Sequence, residues 1–199
     1  MLYFLLYLQQ IYYKPHHCDK RGNVSRQFKT PAKMRKPVLS TMKILMSKLF
    51  NEDIDQKWIN WAMEMMEAGF ETENLIVLAG ISEPVNQFEL QELTNKVLAE
   101  LELDYSDQKL VIKNYVYYLI TNSINKPETY LETLKELKEI CLDLDLDAEY
   151  MDFYLLYFAK DDLTEQEYQH YWDNATRENI DEIIAENFAK WKTKFEAED

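Results

Sequence analysis

WINWAMEMMEAGFETENLIVLAGI, residues Trp58–Ile81, is the stretch whose reading decides the fold class. Ile54 just ahead of it, then Trp58, Trp61, Ala62, Met65 and Met66, recur at steps of 4, 3, 1, 3 and 1. That spacing puts all six on one side of a helix. The pattern predicts a helix from Glu52 to Ala68 with Asn51 as its N-cap. Gly69 follows at the place where a left-handed residue closes a helix. Thr72 then caps a second helix, Glu73–Ala79, with Leu75, Leu78 and Ala79 facing inward and Gly80 at its end. So short a connection makes the pair an antiparallel helical hairpin. The Met65–Met66 pair reads as core rather than as the lining of a binding groove.

The rest of the chain carries the same period. A third helix starts at Asn86, with Glu89 completing an N-x-x-E cap and Leu90, Leu93, Val97 and Leu101 as its stripe. A fourth, Asp107–Asn122, is apolar on many sides, which predicts a central position. Pro127 suits the first turn of a fifth, where Tyr130, Leu134, Leu137 and Cys141 share a face. A sixth runs from Ala148 to Ala159. Thr164 and Glu167 predict a capping box for a short seventh holding Tyr168 and Tyr171. Thr176 is expected to cap the last, Arg177–Phe195, with the stripe Ile180, Ile183, Ile184, Phe188, Trp191 and Phe195. Lys190, Lys192 and Lys194 sit at its C-terminal end, where the macrodipole favours cations.

The expected fold class is all-α, a compact multi-helix bundle of about eight helices. The odd-numbered helices begin near 52, 87, 127 and 165, intervals of 35, 40 and 38 residues. Intervals of that size suit paired-helix repeats, so a short solenoid-like stack of hairpins is the alternative.

Within the opening stretch, Trp61-Ala62, six residues, Gly69, eight residues and Leu78-Ala79-Gly80 form a pattern. It resembles the opening of a group of small, acidic, uncharacterised bacterial helical proteins, a domain of unknown function. The resemblance covers about residues 58–81 and implies a bacterial, cytoplasmic, helical domain. It implies no catalytic residues.

Composition bounds the function. The 199 residues include three glycines and five prolines, against roughly 14 and 10 at average usage. The net charge of −14 is unevenly divided: residues 1–41 carry +7 and residues 42–199 carry −21. Residues 1–41 therefore read as a basic N-terminal extension and 42–199 as a single helical domain. A body this acidic repels nucleic acid and anionic membranes, and its charge favours a basic partner. Met1–Tyr13 is an apolar run of 13 residues, short of the ~20 that span a bilayer, and has no signal-peptide layout. The extension reads most simply as a disordered tail or translated upstream sequence, with a natural start at Met42 or Met46. A membrane-associating tail is the next reading, a nucleic-acid-binding arm the third.

No catalytic motif is visible: no H-E-x-x-H, no G-x-S-x-G and no Walker glycine loop. His16-His17-Cys18 has no second cluster to complete a four-ligand site. Asp143-Leu-Asp145-Leu-Asp147-Ala-Glu149 opens like a calcium loop, but Ala148 stands where the sharp turn needs Gly and Tyr154 where the bidentate Glu belongs. No metal and no cofactor are expected. Cys141 lies on a buried stripe among acids, a poor setting for a reactive thiol, and Cys18 and Cys141 read as free thiols of a reducing compartment. Asn23-Val-Ser25 and Asn174-Ala-Thr176 fit the glycosylation sequon, which carries little weight without a secretory signal. His170, among Tyr168, Tyr171 and Trp172, reads as half-buried on a short helix.

From Asp143 to Glu167 the chain holds nine acids and one base, interleaved with tyrosines. Tyrosine anchors interfaces and acids steer basic partners. The expected role is a non-catalytic protein-interaction module, of the inhibitor or immunity kind. Its candidate face is Asp143, Asp145, Asp147, Glu149, Tyr150, Asp152, Tyr154, Asp161 and Asp162. The alternative is an enzyme or small-ligand-binding domain with a pocket between the fourth and sixth helices.

Overall fold

The computed structural model describes residues 36–83 and 86–198, apart from the side chain of Glu198. The readings of Met1–Tyr13, His16-His17-Cys18 and the Asn23 sequon lie outside the described residues. The chain is all-α: the described residues form eight α-helices and one short 3-10 turn, with no strand among them. Their contacts group into two compact units that divide between Val111 and Ile112.

The first unit opens with a helix that the sequence pattern did not suggest, Thr41–Leu49 (α1). Seven of its nine residues are buried, so it has no polar face for a periodicity to stand against. Packing begins ahead of the change in composition at Met42. Thr41 is fully buried, accepting from the Trp61 indole N–H at 3.0 Å, and the Ser40 hydroxyl donates to Glu64.

Asn51 is not an N-cap. It closes α1 at φ 52°, its N–H on the Lys48 carbonyl (3.1 Å) and the Glu52 N–H on the Ser47 carbonyl (3.0 Å). Asparagine tolerates the left-handed region, which explains the exchange of roles. The following helix starts four residues later than expected, at Gln56, and runs to Glu67 (α2). Asp55 caps it, accepting from the Lys57 N–H at 2.9 Å. Residues 52–54 are held instead from Gln87–Glu100 (α4). Gln87 pairs both the N–H and the carbonyl of Ile54, at 2.8 and 3.0 Å, and Gln91 donates to the Glu52 carbonyl at 2.8 Å.

The hairpin forms as its sequence predicts. Trp58, Trp61 and Met65 are buried, and the two indoles meet edge to face at 6.0 Å. Gly69 takes φ 92°, and the Gly69 and Phe70 N–H groups close onto the Met66 and Met65 carbonyls. The returning helix, Glu73–Ala79 (α3), buries Leu75 and Leu78, while Ala79 is half-buried. The Glu100 carboxylate accepts from the N–H and the side chain of Asn74, serving as a remote cap for α3. Thr72 and Asn74, both beside the carboxylate, hold its pKa below the usual value.

Gln108–Ser123 (α5) begins in the first unit and continues in the second. It buries Val111, Ile112, Tyr115, Val116, Tyr117, Leu119 and Ile120, as its all-round apolar pattern predicts. Pro127–Thr129 forms the 3-10 turn that leads into Tyr130–Asp143 (α6), where Tyr130, Leu134, Leu137 and Cys141 are buried together.

Met151–Glu165 (α7) is longer than expected and ends the predicted seventh helix before it starts. Thr164 lies in its last turn, its hydroxyl donating back to the Lys160 carbonyl at 2.9 Å rather than capping anything. Residues 166–179 run as turns and bends. The Gln169 amide pins them, accepting from the Tyr171 and Trp172 N–H groups at 2.7 and 2.8 Å and donating to the Trp172 and Ala175 carbonyls. Arg177 Nε donates to the Leu163 and Gln166 carbonyls at 2.7 and 3.0 Å, so a side chain from beyond the turn closes α7. With no helix starting near 165, one of the four starting points of the repeat-like spacing is absent. The last helix, Ile180–Glu198 (α8), starts three residues later than predicted and buries Ile180, Ile184, Phe188, Trp191 and Phe195.

Candidate functional site

α6 and α7 form an antiparallel hairpin, and α7 carries two stripes rather than one. Phe153, Leu156, Ala159 and Leu163 are buried. Tyr154, Tyr157, Phe158 and Asp161 stand at i, i+3, i+4 and i+7, so they share another face. Three of these are half-buried aromatics and the fourth is an exposed acid.

The aromatic residues are packed against each other. Phe158 meets Tyr154 at 5.0 Å and Tyr157 at 5.2 Å, both edge to face, and Tyr171 stacks on it at 5.2 Å with its ring 28° from parallel. Tyr171 comes from the segment pinned by Gln169 and is 42% exposed, so the strip is open at that edge. Lys138 of α6 reaches over the strip at Tyr157 and Phe158. Its Nζ lies 4.7 Å from the Tyr157 ring centroid and 5.9 Å from that of Phe158, within reach of the negative ring faces. Glu139 holds the same ammonium at 2.7 Å, and that bond pushes the Lys138 pKa up.

Acids follow the strip at the C-terminal end of α7. Asp161 and Glu165 are exposed and Asp162 half-buried, all in the last two turns of α7. Negative charge there opposes the macrodipole, so helix stability does not account for it. Arg177 offsets part of that cost through its bonds to the terminal carbonyls.

The residues chosen from sequence scatter. Asp143 is exposed at the end of α6, and Asp145 and Asp147 are exposed in the turn that follows. Asp145 and Leu146 hold φ of 53° and 62°. Asp147 accepts from the Glu149 N–H at 2.8 Å, a turn role. Glu149 is half-buried between Lys113 (3.4 Å) and Lys194 (3.7 Å), which neutralise it. Asp152 is exposed in the first turn of α7, where the macrodipole favours it. Tyr150 is 4% exposed and belongs to the core, so it cannot present a face to a partner. Tyr154, Asp161 and Asp162 lie on or beside the strip. Lys138 was missed because nothing in α6 alone marks it; only the hairpin brings it to Tyr157.

His170 is exposed on the turn segment, tilted against Tyr168 at 5.6 Å, and is not half-buried on a helix. Cys141 is buried, with burial and then Asp147 pushing its thiol pKa up, away from the thiolate a nucleophile needs. Among the described residues no three His, Cys, Asp or Glu side chains are grouped to hold a metal ion, and no helix is long and apolar enough to cross a membrane.

No family model matches this chain, and neither do any curated protein or solved structure with which it was compared.

Proposed function

We propose that the chain is a non-catalytic protein-interaction module of the bacterial cytoplasm. It binds a basic protein partner through the outer face of α7, in the manner of an inhibitor or immunity-type protein. One observation carries this reading. Tyr154, Tyr157, Phe158 and Tyr171 form a contiguous aromatic strip at the surface, next to Asp161, Asp162 and Glu165. Rigid aromatics with an acidic surround combine anchoring area with electrostatic steering. The acidic charge of residues 42–199 disfavours nucleic acid as the partner.

The test is affinity capture on the immobilised full chain, at low and at high salt, in parallel with Tyr157→Ser and Tyr171→Ser. A partner captured through this strip is lost on raising the salt, and each tyrosine change weakens capture by roughly ten-fold or more. A partner held equally by all three proteins and at both salt levels would place the interface elsewhere and remove this reading.

A further inference from the structure

The strip is not empty of charge in the free protein. Lys138 reaches across from α6 and sets its ammonium over two of the rings, at 4.7 Å from Tyr157 and 5.9 Å from Phe158. Its side chain is only 15% exposed. A lysine at the surface normally keeps its head group in water, because an ammonium is strongly hydrated. Here the rings and Glu139 take over part of that solvation. The electrostatics of the strip thus favour a cation, and the chain supplies one itself.

We infer that this is a cation seat of the docking face, filled by Lys138 in the free protein, and that the partner's basic segment is recognised by an arginine that takes the seat. This rests on the reading of α7's outer face as the docking surface. Arginine fits better than lysine for three reasons. Its planar guanidinium stacks on ring faces, it is more weakly hydrated than an ammonium, and its fork can engage a carboxylate in two bonds at once. Tyr157 and Phe158 offer the rings, and Glu139 and Asp161 the carboxylates. Charge points the same way: Asp143–Glu167 carries nine acids against Lys160 alone. When the guanidinium enters, Lys138 moves out to solvent, where its own charge is better hydrated.

The experiment is a calorimetric titration of the full chain with a synthetic arginine-containing basic peptide. It is repeated with a lysine version and with a citrulline version, which keeps the shape and removes the charge. Two variants accompany it. Lys138→Ala empties the seat; Lys135→Ala removes an equal charge from an exposed position one turn away on α6. The expected result is binding in the order arginine, lysine, citrulline. Lys138→Ala tightens the arginine peptide by roughly five-fold or more, beyond any gain in Lys135→Ala. Thermal melts of both variants establish that they are folded.

Equal gains in the two variants would reduce the effect to net charge and overturn the seat. Citrulline binding as tightly as arginine would overturn it as well. A gain on neutralising Lys29, Lys33 and Arg35, with Lys138→Ala silent, would assign the strip to the chain's own N-terminal segment. Self-association that the peptide dissolves would assign it to a second copy. A salt-sensitive partner captured equally by the wild type and Lys138→Ala would leave the docking face standing and the seat refuted. Peptide binding without any captured protein would do the reverse.

Discussion

Lys48 and Lys138 make the same kind of contact in the two units, with opposite consequences. Each sets an ammonium near an aromatic ring, 6.0 Å from the Trp58 centroid in one unit and 4.7 Å from that of Tyr157 in the other. Lys48 is 8% exposed. Its Nζ donates to Gln91 Oε1 (2.7 Å), Thr94 Oγ1 (3.0 Å) and the Gln91 carbonyl (3.3 Å), all neutral acceptors. It ties α1 to α4, and burial lowers its pKa. Lys138 instead sits at the rim of the strip, its side chain 15% exposed, with a carboxylate beside it that raises its pKa. A cation–π contact therefore has no single meaning. Enclosed by fixed neutral acceptors it is a strut; at the rim of a half-buried aromatic strip it marks the proposed cation seat.

The comparison can be broken most directly at Lys48. Lys48→Ala removes a buried stem and leaves the Gln91 and Thr94 acceptors without their donor, so it should cost about 2–4 kcal/mol in denaturant unfolding. Lys138→Ala should cost well under half of that, because its carboxylate partner Glu139 is 57% exposed and stays hydrated without it. Similar losses would mean that both lysines are struts and would weaken the seat.

Thr41→Val tests whether the first unit is as closely fitted as Lys48 suggests. It leaves the buried Trp61 indole N–H without its acceptor and should cost about 1–2 kcal/mol. A chain beginning at Met42 should show at least that loss. A neutral Thr41→Val would mean that α1 is loosely held and Lys48 no anchor.

Each unit also contains a helix closed by a left-handed acid. Glu102 takes φ 55° after α4 and Asp145 φ 53° after α6. Glycine at either position should stabilise, by about 0.5–1 kcal/mol, with Glu102→Gly the larger because aspartate tolerates this region better than glutamate. Equal melting shifts at both sites would show that the turn by the strip is as strained as its counterpart.

The smallest effect is the dependence on alkaline pH, and here the two lysines differ in sign. Lys48 has a folded pKa below its unfolded value, so the unfolded state binds the proton more tightly. Its contribution to stability rises with pH between the folded value and 10.5. Lys138 has a folded pKa above 10.5, so its contribution is complete below 10.5 and is lost as pH rises through the folded value. Relative to wild type, Lys48→Met should remove a rise in melting temperature and Lys138→Met a fall. Parallel profiles would erase the distinction.

How far the sequence carried these features depended on the contrast available at each element. The α2–α3 hairpin was legible to the residue at Gly69, because one apolar stripe faces one polar side and a glycine marks the stop. The Asn86 cap and the buried Tyr130–Cys141 face were legible for the same reason. α1 was not, since seven of its nine residues are buried and periodicity needs an exposed side. Asn51 and Thr164 misled because their side chains serve several local roles, cap, closure or back-bonding, and the surrounding chain chooses among them. At the candidate site, Asp161, Asp162 and Tyr154 were among the residues picked out by the density of acid and tyrosine. Tyr150, picked out on the same ground, is buried.

Local pattern and composition were enough to establish that this chain is helical and acidic, where most of its helices lie, and that residues 143–167 are dense in acid and tyrosine. Those properties follow from local period and composition, which depend on residues within a few turns of each other. Which face of α7 is core, that Tyr150 is buried and that Lys138 stands over Tyr157 came from the packing of helices. Residues 138 and 157 belong to different helices, and their meeting depends on how α6 and α7 pack across the turn at Asp145. Side-chain spacing within one helix carries no information about the neighbour against which it will fold.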